Sequence, residues 1–439
     1  MQSEKGGREK HWLRRLAELP REALRRAKAV LGASAAESVQ LASAPRLRMK
    51  PQALLELRQR LERQLQQAGT PLSGGSPPAG PAETALVDRI MRRRDADNRN
   101  NVSRTAAYWD MHLRNPELEW AFLAHMVSRN GGWNMTDLQG GLLPHVLDGR
   151  QREQLFEFLE RANALIFRDA YPQLLLYEES VKAGRPLFHL LPRFGVSQFM
   201  RFVWESFWRH NDPVLLTVGL IVNEQSYIEG RVVGNRQFRE EVLEAAYFRA
   251  QSLLQLNQVV FPYLSEQNHF VDLPQGKEAE ERAPRLAGLI LENFASLRER
   301  IEFGKKLYAI LFAIPAVREG ARRFAAQRKH TGSRSDYWPH RFAALGREAG
   351  PSRTGTPPQE RLDGIRLRPG AAPIYSPPLG DAWPDRPVAV PEEYDWCADL
   401  TPLKYMTDIE PPASYDMTDA YAAGLRAIEL AARAGRLLE

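Results

Sequence analysis

A single cysteine, Cys397, in a chain of 439 residues excludes an intramolecular disulfide and any multi-cysteine metal cage. It stands among Glu392, Glu393, Asp395 and Asp399, whose negative charge disfavours a thiolate, so no catalytic role is expected of it. The nine histidines include no His-Glu-x-x-His and no pair at metal spacing, and no metal is expected. Gly276-Lys277 and Gly304-Lys305 are followed by Glu and Lys and lack the upstream glycine of a phosphate loop. Neither G-x-G-x-x-G nor G-x-S-x-G occurs, and no cofactor is expected. Long hydrophobic runs are missing too. Val214–Val222 and Leu307–Val317 fall well short of the ~20 residues that span a bilayer. The first apolar residues belong to an Arg-rich amphipathic pattern rather than to a signal peptide, which makes the cytoplasm the expected compartment.

What is present is ordinary for a folded protein: 43% hydrophobic and 26% charged residues. The net charge of +6 is unevenly placed. Met1–Arg99 holds 20 Lys/Arg against 11 Asp/Glu, a net of +9, which leaves −3 for the remaining 340 residues. Residues 8–31 have Trp12, Leu16, Leu19, Ala23, Ala27 and Val30 at helical spacing among arginines, a basic amphipathic helix. A second charged helix is expected near 51–68. Gly and Pro punctuate 69–81 as a linker, so residues 1–82 read as a basic arm that moves independently of the rest of the chain.

From 83 to 329 the spacing predicts an all-α domain, with helices over 83–97, 103–114, 117–130, 150–170, 196–210, 213–229, 237–261, 284–313 and 315–328. Pro116, Pro172, Pro213, Pro262, Pro284 and Pro315 sit at the proposed boundaries, where proline is tolerated. Fourteen of the 31 prolines then fall between Trp338 and Pro412, which forbids regular helices there. The interleaved Tyr375, Trp383, Tyr394 and Trp396 predict that 330–417 is an extended strap over the domain, with a disordered tail carrying sporadic aromatics as the competing reading. A helix over 418–438 closes the chain. The expected fold class is therefore all-α: one large multi-helix domain with a basic helical arm and a Pro/aromatic strap ending in a helix.

The densest polar chemistry lies in 98–137. A tight turn at Asn115-Pro116 would make 103–114 and 117–130 an antiparallel hairpin, with helices about 18 and 21 Å long. The two polar stretches NRNNVS and SRNGGWNMTD would then meet at one end. That geometry gathers Asn98, Arg99, Asn101, Arg104, Arg129, Asn130, Asn134 and Asp137 as candidates for binding a small polar anion, with His125 sharing a helix face with Arg129. Gly131-Gly132 would let backbone approach a ligand. The competing reading is a capped helical corner, with Ser103 as N-cap, Gly131 as C′ residue, Trp133 packing back, and Asn134 and Asp137 capping the next turn.

Glu224 follows the apolar stretch and shares a stripe with Leu216, Leu220 and Ile228, on or beside a buried face. Arg129, Arg104 or His125 would serve as its partner in an internal ion pair. The sharper alternative makes Glu224, with His125, a general acid or base with a raised pKa. Glu266-x-x-His269 stands alone, where a di-iron bundle needs two such pairs, and is read as a loop tie. Phe199, Phe202, Val203, Phe207 and Trp208 form an aromatic stripe expected in the core.

The phrases NRNNVSRT and WAFLAHMVSRNGGWNMTDLQGG within 98–142, VNEQSYIEGRVV at 222–233 and RIEFGKKLYAILF at 300–312 carry a resemblance. They are similar to the bacterial domain-of-unknown-function family 2515, known mainly from spore-forming Gram-positive bacteria. The resemblance covers about 98–324, with the basic arm and the Pro-rich tail outside it. It implies no activity, cofactor or catalytic residue. The leading expectation is thus a non-enzymatic helical interaction protein with a protein partner. An enzyme or sensor of a small anion is the alternative. A binder of membrane surface or nucleic acid through residues 1–82, including Arg92–Arg94, is the third.

Overall fold

The computed structural model describes residues 45–67, 80–243, 255–265, 282–345, 360–392 and 394–436. The amphipathic helix expected over 8–31, most of the 69–81 linker and the Glu266/His269 pair lie outside the described residues. The long helices are α1 Pro51–Gln67, α2 Pro81–Asp97, α3 Asn101–Arg114, α4 Glu119–Asp137 and α5 Gly149–Ala183. They are followed by α6 Gln198–His210, α7 Pro213–Ile228, α8 Leu297–Ala313, α9 Pro315–Gln327 and α10 Thr418–Arg436. The fold is mainly α-helical, and one contiguous apolar cluster runs from Met49 to Ile428.

α1 belongs to that cluster. Ala53, Leu57 and Leu61 face α6, Ser206 Oγ donates to Ala53 O at 2.9 Å, and Asp212 accepts from Lys50 N at 2.6 Å. The expectation that all of 1–82 stands off from the core is therefore corrected for 45–67. One apolar stripe on α1 outweighs its charged composition.

The expected hairpin is present. α3 and α4 pack along their length around the Asn115-Pro116 turn, with Tyr108 edge-on to Trp120 at 5.4 Å near the turn and Asn101 beside Ser128 at the far end. The caps differ from the sequence reading. Asn100, not Ser103, is the N-cap of α3, and Ser103 completes a capping box from the third helical position. Helix α4 does not stop at Gly131 but runs on to Asp137, taking Trp133 and Asn134 into its buried face.

α5 likewise passes through Pro172 to a left-handed Gly184 at φ 65°. Residues 169–177 are all buried, and that packing outweighs the ~3 kcal/mol cost of an interior proline. The helices expected to reach 261 and to begin at 284 are also corrected. Gln258–Tyr263 (β1) and Arg285–Ile290 (β2) form an antiparallel pair, with Gln258 opposite Ile290 and Tyr263 opposite Arg285. Val259 and Val260 favour a strand, and Pro262 opposes helix continuation. Both edges are covered. Asn130 donates Nδ2 to Gln258 O and accepts Val260 N-H on one side. On the other, Gly288 N and Leu286 O bond to residues 415 and 417.

The described part of the proline-rich stretch lies across this frame. Trp383 stacks on Phe156 at 4.3 Å and donates Nε1 to Met135 O at 2.8 Å. Trp396 donates to Asn223 Oδ1 at 3.0 Å, and Asp395 accepts from Ser197 Oγ and Gln198 N. Arg231 is held between the rings of Tyr227 and Tyr394, 4.0 Å from each. Cys397 is buried here, its thiol pushed up to about 12 by burial and by Asp395 and Asp399. Among the described residues no helix is long and apolar enough to cross a membrane.

Candidate functional site

Most of the residues that the hairpin was expected to gather do meet at one end of it, but Arg104 turns to a separate cavity and the rest do not form one site. Arg129 Nε donates to His125 Nε2 at 2.9 Å, which places the imidazole proton on Nδ1, and Nδ1 donates to Thr105 O at 2.8 Å. Burial and the neighbouring guanidinium push His125 well below its ordinary range. A ring with both nitrogens engaged and no tolerance for charge is a poor acid or base, so that candidate role is corrected. Arg129 also donates to Arg328 O and lies over the Phe324 ring at 5.1 Å, and burial lowers it to about 10.

Asn101 is fully buried. Its Nδ2 donates to Ser128 O at 2.9 Å, and its Oδ1 accepts from His330 Nε2 at 2.9 Å. This bond lies over Gly132. A Cβ there would meet Asn101 Oδ1 and come within 2.5 Å of His330 Nε2. The glycine pair thus admits internal side chains, not a ligand.

Asn130 holds β1 through the two bonds given above, and Asn134 is buried on the same helix. Asp137 pairs with Arg334 beside a water-sized pocket of about 20 Å³, and burial raises its carboxyl to about 6 despite the guanidinium. Arg99 reaches Asp385 at 3.2 Å on the surface, and Asn98 donates to Ala164 O. Asn98, Arg99, Asn101, Arg129, Asn130 and Asp137 thus make tertiary ties rather than helix caps, and Arg129 NH1 has no partner among the described residues.

Glu224 and Arg104 lie elsewhere. Both line a cavity of about 200 Å³ between α3, α4, α7 and α8, with walls from α5, β1 and residues 256, 257, 291 and 294. Tyr108, Trp120, Leu123, Val127, Phe294, Phe303 and Leu307 make most of the lining apolar. Val127, Phe294 and Phe303 keep partial exposure. Polar groups are few: Arg104, Ser128, Asn163, Glu224, Gln225, Asn257 and Arg300.

The two arginines are already compensated. Arg104, 1% exposed, donates NH2 to Glu160 at 2.5 Å and NH1 to Asn98 Oδ1 at 3.2 Å, which leaves Nε without a partner among the described residues. Arg300 pairs with Glu229 and donates Nε to Gln225 Oε1 at 3.0 Å and NH1 to Phe294 O at 2.6 Å.

Glu224 makes no ion pair among the described residues, which corrects the expected link to Arg129, Arg104 or His125. It accepts from Gln225 Nε2 at 3.2 Å and from Trp120. Desolvation lifts its carboxyl to about 8, outweighing those bonds, with the charge of Asp169 adding to the rise. Asp169 itself is raised to about 7 by burial, held by Asn223 and Gln173. At neutral pH Glu224 is mostly a carboxylic acid that can donate a hydrogen bond. Sequence reasoning found Glu224 and Arg104 but missed Tyr108, Trp120, Asn163 and Arg300. The signal was in the family-like phrases, for WAFLAHMVS, VNEQ and RIEFGKKL supply residues 120–128, 224–225 and 300–307 of the lining.

The family described as "Protein of unknown function (DUF2515)" matches residues 96–421. The chain belongs to this family. Its match reaches through the Pro-rich segment into α10, so the strap falls inside the family region, contrary to the extent read from the phrases alone. A relative from Bacillus subtilis (strain 168), "Uncharacterized protein YppC", is 41% identical over 251 residues, spanning 57% of this chain and 72% of that protein. No solved structure matches. Among the described residues no three His, Cys, Asp or Glu side chains are grouped to hold a metal ion.

Proposed function

We propose that the protein is a receptor or carrier for a small, largely apolar molecule, which occupies the cavity beside Glu224. The observation that carries this reading is the cavity itself. Its volume of about 200 Å³ exceeds the ~150 Å³ at which an engineered apolar cavity takes up benzene or xenon. Aromatic and aliphatic walls with a few convergent polar groups and a strongly shifted carboxyl are what a small-molecule site requires. The anion-site alternative is thereby moved from the hairpin end to this cavity, and its ligand becomes mainly apolar.

The test uses 2-phenylethanol, a ring with one hydroxyl. At about ten times its Kd it is expected to raise the melting temperature by roughly 2 °C. Val127→Trp, which fills the space from α4, is expected to melt cooperatively and to lose the shift. An equal shift in the filled variant, or no shift in the wild type, overturns the reading.

A further inference from the structure

Among the described residues one ionisable group lining the cavity has no partner of opposite charge, the carboxyl of Glu224. Glu160 answers Arg104, and Glu229 answers Arg300. No described cation answers Glu224. From α5, Asp169 adds a second carboxyl whose charge is felt at Glu224, while Tyr108 on α3 and Trp120 on α4 present ring surface to the same space. Phe294 and Phe303 line it as well. An ammonium group is the ligand feature that such a set stabilises. It offsets the desolvated carboxylate directly, and aromatic faces attract it through their quadrupoles.

The geometry points to a small primary amine with a ring-sized apolar body as the ligand class, its ammonium seated on the Glu224 carboxylate and its body among Tyr108, Trp120, Phe294 and Phe303. This rests on the proposed ligand cavity and adds the charge of the occupant. Arg104 and Arg300 do not oppose it, because each is already joined to its own glutamate. The unpartnered Arg104 Nε is the feature that an anionic ligand would use instead.

Binding carries a proton balance. Free Glu224 holds its proton at neutral pH, with a carboxyl at about 8. An arriving ammonium keeps its own protons, so the carboxyl proton leaves to the buffer as the ion pair forms. Affinity therefore rises with pH until the free carboxyl is itself ionised, and falls again once the ligand's ammonium loses its proton, at about 10 for a primary alkylamine. The titratable and charged groups that line the cavity with Glu224 are Arg104, Tyr108 and Arg300, and the charge of Asp169 behind them raises its carboxyl.

Calorimetry on the full chain at pH 7 tests this with three probes of one size: 2-phenylethylamine, 2-phenylethanol and 3-phenylpropanoate. Titrations in phosphate and in Tris, whose ionisation enthalpies differ, report the proton. The amine is expected to bind tightest and to release up to one proton. Glu224→Gln is expected to weaken it roughly tenfold or more, with the release gone and 2-phenylethanol little changed. Amine binding without proton release, or equal in Glu224→Gln, overturns the inference while leaving the cavity reading intact. Preference for 3-phenylpropanoate overturns it in favour of an anion on Arg104. Failure of all three probes removes the cavity reading as well.

Discussion

Arg104→Ala is expected to cost about 3–5 kcal/mol of stability, seen as a fall in the denaturant midpoint at unchanged slope. The cause is electrostatic. Arg104 and Glu160 are 1% and 5% exposed, so neither group has bulk water to fall back on. Their 2.5 Å contact offsets a desolvation cost of several kcal/mol per ion. Removing the guanidinium leaves a carboxylate with its cation gone, and burial has already raised the Glu160 pKa even with Arg104 present. It also strips Asn98 Oδ1 of its donor. The double change Arg104→Met with Glu160→Leu is expected to recover most of the loss, since no charge is then stranded. A single-variant cost below about 1 kcal/mol would mean that the pair is as wet as a surface ion pair.

Trp383→Ala is expected to cost a further ~3–5 kcal/mol, the ordinary penalty for emptying a buried indole site. Trp383 is 7% exposed, stacked on Phe156 and bonded to Met135 O, so it joins the strap to α4 and α5 at once. Limited proteolysis should then cut the 360–392 stretch faster than in the wild type, while α3 and α4 stay protected. Equal protection of the strap in both proteins would show that Trp396, Tyr394 and Asp395 hold it unaided.

These two residues also mark what the sequence made legible. Periodicity located most long helices and the hairpin, because their apolar stripes are strong and the proline at 116 falls in a turn. It failed at Pro172 and at Gly131-Gly132, where burial along Asp169–Tyr177 and of Gly132 beneath Asn101 and His330 overrides local breakers. It failed again at β1 and β2, short apolar runs in which strand and helix look alike until Asn130 and residues 415–417 cover their edges. Trp383 could be named as an anchor from its sequence setting, but Phe156 could not be named as its partner.

The candidate site was half legible for a similar reason. Counting polar residues in 98–137 finds fasteners and candidate ligand groups alike, since both are Arg, Asn and His. What separates them is whether each donor meets another protein group. His330 satisfies Asn101, Arg328 O takes one donor of Arg129 while its NH1 has no partner among the described residues, and β1 satisfies Asn130, from distances of 128 to 229 residues along the chain. No local pattern encodes such partners. Glu224 stood out by its place on an apolar stripe, yet its lack of a cation among the described residues is a tertiary fact.

The cavity beside Glu224 is the claim on which the rest depends, and a crystal of the full chain pressurised with xenon tests it most directly. Xenon enters apolar cavities of this size and scatters strongly. A xenon peak is expected between Leu123, Val127, Phe303 and Leu307, absent from the Val127→Trp crystal. A wild-type crystal with those side chains packed together and no xenon among them would contradict it.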